Sequence, residues 1–173
     1  MSIIDYIQLH DEAISGRWQL DPERSSAGFR VKLFWGLSTV KGRFDKLSGR
    51  LDLSADPAIE LTIDAASVQT KNARRDRHLR SADFFDADNH PRVRFISDSL
   101  DLQGRTLRVR GRLSARGNSI PLELEAQLHE VDEGLEIEAT TTAPHRDLGM
   151  TFNWLGMIPP RSTVVVRALL VRA

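Results

Sequence analysis

The sequence predicts an all-β fold of roughly eight antiparallel strands, arranged as a sandwich or a closed barrel, with one short helical excursion. Three observations predict it. Apolar and polar residues alternate with period two along most of the 173 residues. Turn signals separate the alternating runs. The alternation stops once, between Ala65 and Asp86, where basic residues precede two adjacent phenylalanines. Strands with one apolar face must bury that face, and closure into a barrel also removes exposed edges.

The strands are predicted from the alternation, because successive side chains of a strand lie on opposite faces. In the run 26–33, for example, Ala27 and Phe29 share a face with Val31 and Leu33. Further runs of this kind cover residues 47–53, 59–65, 93–97, 106–113, 120–128, 135–139 and 164–171. Turn-forming residues at 55–57, 103–105, 116–119 and 132–134 end these runs. The short connections after residue 93 predict consecutive antiparallel hairpins.

Helix is predicted only near residues 72–81, with Asn72 as the N-cap, apart from a short N-terminal stretch that either is helical or frays. The sequence contains neither an internal repeat nor a linker. We therefore predict an N-terminal extension over residues 1–15 and a single domain over residues 16–173, a length that buries a sizeable core.

Composition excludes several functional classes. The chain has no cysteine, so disulfides, thiolate metal sites and a cysteine nucleophile are excluded. Its 24 basic and 24 acidic residues cancel, which argues against a nucleic-acid partner. The five histidines show no metal-binding spacing, and we expect no metal site. Acidic residues interrupt the N-terminal apolar positions, so we expect neither a signal peptide nor a membrane span, and we expect a cytoplasmic protein.

Large apolar residues concentrate at the predicted strand ends and connections. They are Phe34, Trp35, Phe44, Phe84, Phe85, Met150, Phe152, Trp154 and Met157. An eight-stranded barrel is just wide enough to be filled by its own side chains or to hold one small apolar ligand. Aromatic residues at the ends fit a lined mouth, and they fit a plug equally well. Both interpretations stay open at this point.

The basic segment from Lys71 to Arg80 also has two interpretations. It could form a cationic rim that holds a phosphate or carboxylate head group, because arginine binds oxyanions in a bidentate manner. Alternatively it is a solvated helical face with an Asp76–Arg80 pair, or Asp76 and His78 make hydrogen bonds that fix the loop. The sequence contains no nucleophile elbow, phosphate loop or dinucleotide fingerprint, so catalysis has no support from motifs.

Several motifs in order resemble the YceI-like family of polyisoprenoid-binding, lipocalin-like proteins. The most specific block is Arg75-Asp76-x-His78-Leu79-Arg80-Ser81-x-Asp83-Phe84-Phe85-Asp86. Before it come Gly16-Arg-Trp18-Gln-Leu-Asp21, Ser25 to Val31, and Gly42-Arg-Phe44; after it come His90-Pro91 to Phe95, and Arg146-Asp147-Leu148-Gly149-Met150. Together these motifs cover most of residues 16–173.

The resemblance implies an extended eight-stranded antiparallel lipocalin-like barrel with a short helical excursion near 72–81. It also implies non-catalytic binding of a long-chain amphiphilic lipid (a polyisoprenoid, an isoprenoid quinone or a fatty-acid-like molecule), no cofactor other than such a lipid, and a homodimer. The ligand-binding residues predicted on this basis are Phe29, Val31, Leu33, Phe34, Trp35, Arg75, His78, Phe84, Phe85, Phe95, Met150, Phe152, Trp154 and Met157.

Two alternatives to a lipid-binding barrel remain at this stage. One is an enzyme acting on a hydrophobic substrate, with Arg75, Asp76 and His78 as its polar centre, since the pKa of a histidine suits general acid–base work. The other is a structural or stress-response dimer whose barrel holds no ligand. A cavity of ligand size would speak against the second.

Overall fold

The computed structural model describes residues 2–4, 13–153 and 156–173. Its described residues contain eleven strands in one antiparallel sheet and an α-helix of eight residues, α1 (Ala73–Arg80). Residues 3, 4, 13 and 14 are helical as well. The strands are β1 (Arg17–Leu20), β2 (Ser26–Leu33), β3 (Ser38–Phe44), β4 (Leu47–Asp52), β5 (Ala58–Asp64), β6 (Val68–Gln69), β7 (Arg92–Gln103), β8 (Thr106–Ala115), β9 (Asn118–Val131), β10 (Gly134–Ala143) and β11 (Ser162–Arg172).

The sheet closes into a barrel because β1 pairs with both β4 and β11. The closed order is β1-β4-β5-β7-β8-β9-β10-β11, and β2, β3 and β6 continue from β11. Residues 170–172 of β11 pair with β1, and residues 163–167 pair with β2. Thus β1 and β2 are successive parts of one bent strand, as are β3 and β4. The predicted eight-stranded antiparallel barrel is confirmed.

The helical excursion begins and ends close to the predicted bounds. Asn72 caps α1 by accepting a hydrogen bond from the Arg75 backbone N–H at 3.0 Å, which satisfies one of the donors that a first turn leaves unpaired. At the other end the Ser81 backbone N–H donates to the His78 carbonyl oxygen. The helix follows β6 and precedes β7 in the chain. Since β6 is short, only two residues of β3 pair with it, and the rest of that edge of β3 has no strand of the described residues beside it. The helix therefore covers the side of the barrel that the short β6 leaves open.

One end of the barrel, which we call the packed end, is filled by its own side chains. It contains the β4–β5, β7–β8 and β9–β10 connections, together with β1 and the end of β11. Trp18 pairs with Leu51, and Leu135 pairs with Leu170 in this region. The largest fully buried side chains of the described residues are Ile14, Leu51, Leu107, Val109, Leu128 and Leu135.

The N-terminal residues close the packed end. The indole N–H of Trp18 donates to the carbonyl oxygen of Ile14 at 2.9 Å, so this buried polar group is satisfied. The guanidinium of Arg172 lies 4.0 Å from the centre of the Trp18 ring and donates hydrogen bonds to the carbonyl oxygens of Ala13 and Ser15. A cation over an indole face is attracted by the ring. These contacts join residues 13–18, where the domain begins, to the last strand, β11.

The other end, which we call the open end, contains the β2–β3 hairpin tip, the excursion through α1, the β8–β9 turn and the long β10–β11 connection. In the described part of the chain, no helix has the length and apolar character needed to cross a membrane.

Candidate functional site

The open end encloses a cavity of about 270 Å³. Strand residues from most of the barrel, α1 and the β10–β11 connection form its walls. The lining residues are Phe29, Val31, Leu33, Val40, Phe44, Ile63, Arg75, His78, Leu79, Phe84, Phe85, Val93, Leu113, Ala115, Ala143, His145, Leu148, Met150, Phe152, Ile158, Ser162 and Val164. Only Arg75, His78, His145 and Ser162 carry polar side-chain atoms, so the cavity is almost wholly apolar.

The open end is hollow because small residues occupy inward positions there. Ala143 and Ser162 are register partners on β10 and β11, and Ala115 ends β8; all three are buried. At the packed end of the same strands, the buried side chains of Leu107, Leu135 and Leu170 take the inward positions. Short side chains leave volume that leucines fill at the packed end.

An aromatic cluster lies between the cavity and the packed end, at the level where β3 gives way to β4. The ring centroids of Phe29, Phe44 and Phe85 are 5.4–6.5 Å apart. Aromatic rings at these separations attract one another beyond their burial. Phe29 lies against its register partner Gly42, where a Cβ atom would stand 2.3 Å from the ring. Only glycine fits beneath this ring, so Gly42 helps to define the cavity floor.

A second aromatic cluster joins α1 to the β10–β11 connection. His78 makes edge contacts with Phe84 and Phe152, at centroid distances of 5.1 and 4.7 Å, and Phe84 and Phe152 are 5.5 Å apart. The Nε2 atom of His78 lies 2.7 Å from a carboxylate oxygen of Asp83. The imidazole is therefore oriented by Asp83 and packed between two rings that line the cavity.

A hydrogen-bond network fixes the entry to α1. Thr70, which is buried, donates from its backbone N–H and its hydroxyl to one oxygen of Asp76, at 2.8 and 2.6 Å. Arg75 donates from Nε to the Thr70 hydroxyl at 2.7 Å and from Nη2 to the Thr70 carbonyl oxygen at 2.9 Å. One of the open interpretations of this segment, in which Asp76 and His78 make hydrogen bonds that fix the loop, is confirmed for Asp76. The alternative Asp76–Arg80 ion pair is not found in the described residues, because the carboxylate points to Thr70 instead.

His145 and Ser162 form a second polar pair in the cavity wall. The Nδ1 atom of His145 is hydrogen-bonded to the Ser162 hydroxyl. Burial lowers the pKa of His145 from its ordinary value, and the positive charge of Arg146 lowers it further, while a hydrogen bond involving the Pro159 backbone acts in the opposite direction. Its neutral form is favoured, which suits an apolar cavity.

Nine of the fourteen predicted ligand-binding residues line the cavity: Phe29, Val31, Leu33, Arg75, His78, Phe84, Phe85, Met150 and Phe152. Trp154 lies outside the described residues. The other four do not line the cavity: one lies in the core, and three lie at or beside the β2–β3 tip.

Phe95 lies in the buried core, where its ring occupies the space above Gly111. Trp35 is 83% exposed at the β2–β3 tip. Phe34 belongs to the same tip, and its backbone N–H donates to the Met157 carbonyl oxygen at 3.2 Å, so Phe34 and Met157 join the tip to the β10–β11 connection.

Sequence reasoning missed thirteen lining residues, which are Val40, Phe44, Ile63, Leu79, Val93, Leu113, Ala115, Ala143, His145, Leu148, Ile158, Ser162 and Val164. Most are strand residues on the inward face, which the alternation identifies without giving their depth in the barrel. Ser162 had a recognisable signal, because a hydroxyl residue stands at the start of the inward row of β11, which is otherwise apolar.

The polar side chains of the cavity wall are held by neighbouring groups of the protein. Each of the four polar side chains in the wall has a protein partner: Thr70 for Arg75, Asp83 for His78, and His145 and Ser162 for each other. Among the described residues, no cluster of three or more histidine or acidic side chains could hold a metal ion. One carboxylate oxygen of Asp76 accepts both hydrogen bonds from Thr70, so Asp76 is part of the network that fixes the entry to α1.

Comparison with known proteins identifies the family. A family-wide sequence profile for the YceI-like domain matches residues 18–169. The protein YceI of Shigella flexneri is 34% identical over 122 residues, which are 67% of this chain and 63% of that protein. A protein of Pectobacterium carotovorum is 33% identical over 123 residues, with the same coverage. The chain thus spans about 63% of the length of the curated relatives it matches.

Solved structures share the fold. BcnA of Burkholderia cenocepacia superposes with a TM-score of 0.79 at 16% identity, covering 86% of this chain and 98% of BcnA. A polyisoprenoid-binding domain from Saccharophagus degradans gives a TM-score of 0.74 at 15% identity, covering 90% of this chain and 98% of that domain. With the barrel, the motif block around α1 and the profile match in agreement, this chain belongs to the YceI-like family.

Proposed function

We propose that this protein binds a long-chain amphiphilic lipid without covalent chemistry, holding the apolar tail inside the open end of the barrel. The main support for this proposal is the cavity of about 270 Å³, which is lined by eighteen apolar and four polar residues. A pocket dominated by apolar side chains with few polar groups is typical of small-molecule binding sites. The polyisoprenoid-binding description of the structurally similar Saccharophagus degradans domain supports the same ligand class.

The cavity volume limits how much of the tail it holds. An apolar cavity of about 150 Å³ accommodates benzene, so a cavity of about 270 Å³ accommodates roughly ten carbon atoms. Each buried methylene contributes about 0.8 kcal/mol, which gives about 8 kcal/mol of gross transfer free energy. Association and ordering costs offset several kcal/mol of this. Further carbons of a longer tail would contact the open end.

The polar head of the ligand belongs at the open end in this proposal. His78 and Arg75 border the cavity there, and both already have protein partners. The head group therefore gains weak additional contacts, and the tail provides most of the affinity. We expect a ligand series with one tail and different heads to bind with similar affinity.

Native mass spectrometry of protein that was never delipidated tests the proposal. We expect a mass increment of a lipid, and recovery of that lipid by organic extraction. After delipidation we expect saturable uptake of farnesol and of a fluorescent fatty-acid probe. A bare chain mass together with no saturable uptake of either probe would reject the proposal.

A matched pair of variants locates the ligand. Val164 lines the cavity and pairs with Phe29, whereas the next residue, Val165, pairs with Gly28 on the outer face. We expect V164W to lower the affinity for farnesol at least ten-fold, because the indole occupies the tail's volume. V165W should bind like the wild type. Equal effects of the two substitutions would place the ligand elsewhere.

Two further aspects of the proposal are the homodimer and the cytoplasmic location. The family resemblance supports the dimer. Light scattering after size-exclusion chromatography tests the first, with a mass near twice 19.5 kDa expected. Fractionation of the native host, followed by immunodetection, tests the second.

A further inference from the structure

The β2–β3 hairpin tip exposes large apolar side chains to solvent. Trp35 is 83% exposed and Leu37 is 87% exposed, whereas a folded domain normally covers side chains of this size. Phe34, Trp35 and Gly36 have φ angles of 52°, 56° and 93°. Positive φ is uncommon for bulky residues, so the backbone of the tip holds Trp35 outward at an energetic cost.

The tip adjoins the cavity. Leu33 and Val40, which flank the tip on β2 and β3, both line the cavity. The backbone N–H of Phe34 is bonded to the carbonyl oxygen of Met157, and the next residue, Ile158, also lines the cavity. A surface that engaged the tip would therefore lie beside the open end of the barrel.

The charges around the tip are strongly one-sided, although the whole chain is neutral. Residues 26–44 contain four basic residues and no acidic residue. Arg30, Lys32 and Lys41 are exposed, and no described residue forms an ion pair with them. Arg43, the fourth, is paired with Asp45. The hairpin thus presents free positive charge within a few residues of its exposed apolar tip.

The helix adds to this positive region at the same end. Residues 71–80 contain five basic residues and a single acidic residue, Asp76, whose carboxylate is occupied by Thr70. Lys71, Arg74 and Arg77 are exposed. The neighbouring Asp83 is engaged by His78. Both basic segments border the open end of the cavity.

We propose that the β2–β3 tip docks the open end of the barrel on an anionic lipid bilayer. Tryptophan and leucine enter the interface between headgroups and acyl chains, and the flanking Lys32, Lys41 and Arg30 contact anionic headgroups. A bilayer is favoured over a nucleic acid or a protein because exposed apolar side chains and unpaired cations occur together beside an apolar cavity.

This docking is a second activity beside the binding of a lipid in the cavity. It rests on the proposed function in one respect only, which is that a docked barrel would transfer a lipid tail between the bilayer and its cavity.

Vesicle co-sedimentation with the full chain tests this proposal. The vesicles contain phosphatidylcholine alone or phosphatidylcholine with about 30 mol% of the anionic lipid phosphatidylglycerol. We expect at least ten-fold stronger partitioning into the anionic vesicles at low salt, and a fall of the same order when salt screens the charges. The fluorescence of Trp35, isolated as the difference from W35F, should shift to the blue on binding.

Matched variants separate the two contributions. W35S/L37S should lower partitioning at least ten-fold, whereas I96S, at a partly exposed apolar position on β7, should not change it. K32Q/K41Q should weaken binding to anionic vesicles alone. R108Q/R110Q removes the same charge from β8, where both arginines already face glutamates, and should bind like the wild type. Circular dichroism and the melting temperature establish that each variant is folded.

Several results would overturn the proposal. Equal partitioning of W35S/L37S and wild type would show that the tip does not enter the bilayer. Binding to heparin that exceeds vesicle binding and survives in W35S/L37S would assign the basic surface to a polyanion instead. V164W, whose cavity is blocked, should still dock on vesicles. V164W therefore tests lipid uptake and W35S/L37S tests docking, so a failure of one proposal is distinguished from a failure of the other.

Discussion

Replacing Asp76 by alanine should destabilise the domain by about 2–4 kcal/mol. Thr70 is only 7% exposed, and its N–H and hydroxyl both donate to one Asp76 oxygen, at 2.8 and 2.6 Å. A hydrogen bond to a charged group contributes about 1.5–3 kcal/mol, and a buried donor left unpaired adds its desolvation cost. These contributions are not added in full, because Asp76 is only half-buried and water can partly replace its oxygen, which leaves about 2–4 kcal/mol. The same substitution removes the group that holds Thr70 beneath Arg75.

Urea denaturation followed by circular dichroism at pH 7 measures this effect. For a domain of this length, a loss of about 3 kcal/mol corresponds to a melting temperature lower by roughly 6–12 °C. Asp88→Ala is the matched control, because Asp88 is exposed in the same excursion and should change stability by less than about 0.5 kcal/mol. If D76A unfolded at the same urea concentration as D88A, the network would not be what fixes α1 to the barrel.

Two further predictions concern the packed end and the cavity wall. Leu107→Ala should lower the free energy of unfolding by about 2–5 kcal/mol, because Leu107 is fully buried. The variant should nevertheless bind farnesol with the same stoichiometry as the wild type. A loss of farnesol binding would show that the packed end and the cavity do not behave independently. His145 has a lowered pKa in the folded state, so the unfolded chain binds more protons below the ordinary value of 6.5. Its contribution to stability is present above about pH 6.5 and is lost as the pH falls further. The urea midpoint of H145Q should therefore depend less on pH between 7.5 and 5 than that of the wild type, and parallel profiles would refute this assignment.

Local patterns predicted eight of the eleven strand segments and the helix, but they missed β1, β3 and β6. They also left a sandwich and a barrel both open, and the closed barrel was predicted from the family resemblance. Alternation identifies the inward face of each strand, and Asn72 marks the helix start. The break between β1 and β2 was not predicted. It follows from Asp21, which accepts a hydrogen bond from the Glu23 backbone N–H, and from Pro22, which favours a turn there. Because breaks of this kind divide long bent strands into shorter segments, eleven segments form a barrel of eight strands.

The cavity was predicted only in part, because local patterns do not give depth along the barrel. Phe95 faces inward as its alternation predicts, but the register of β7 places it in the core beside Gly111. Trp35 was predicted from its residue type, and the positive φ angles of the tip carry it to the surface. His145 and Ser162 are 17 positions apart, and their contact depends on the antiparallel return of β11.

The contrast between the two ends predicts how affinity depends on tail length. The packed end and the Phe29–Phe44–Phe85 cluster close the bottom of the cavity, so we expect the tail of the proposed ligand to enter and leave at the open end. Each methylene should strengthen binding about four-fold while it is buried, from about 0.8 kcal/mol per carbon. Beyond roughly ten carbons, the number that about 270 Å³ accommodates, the increment per carbon should fall sharply.

A series of linear alcohols from six to eighteen carbons, titrated into delipidated protein by calorimetry, measures this dependence. The break in slope should occur at shorter tails in V164W, because the indole shortens the available space, and should stay in place in V165W. A constant increment through eighteen carbons would mean that the tail passes the aromatic cluster and displaces side chains of the packed end. That result would show that the cavity is a continuous tunnel and not a pocket closed at one end, because every added carbon would then be buried away from water.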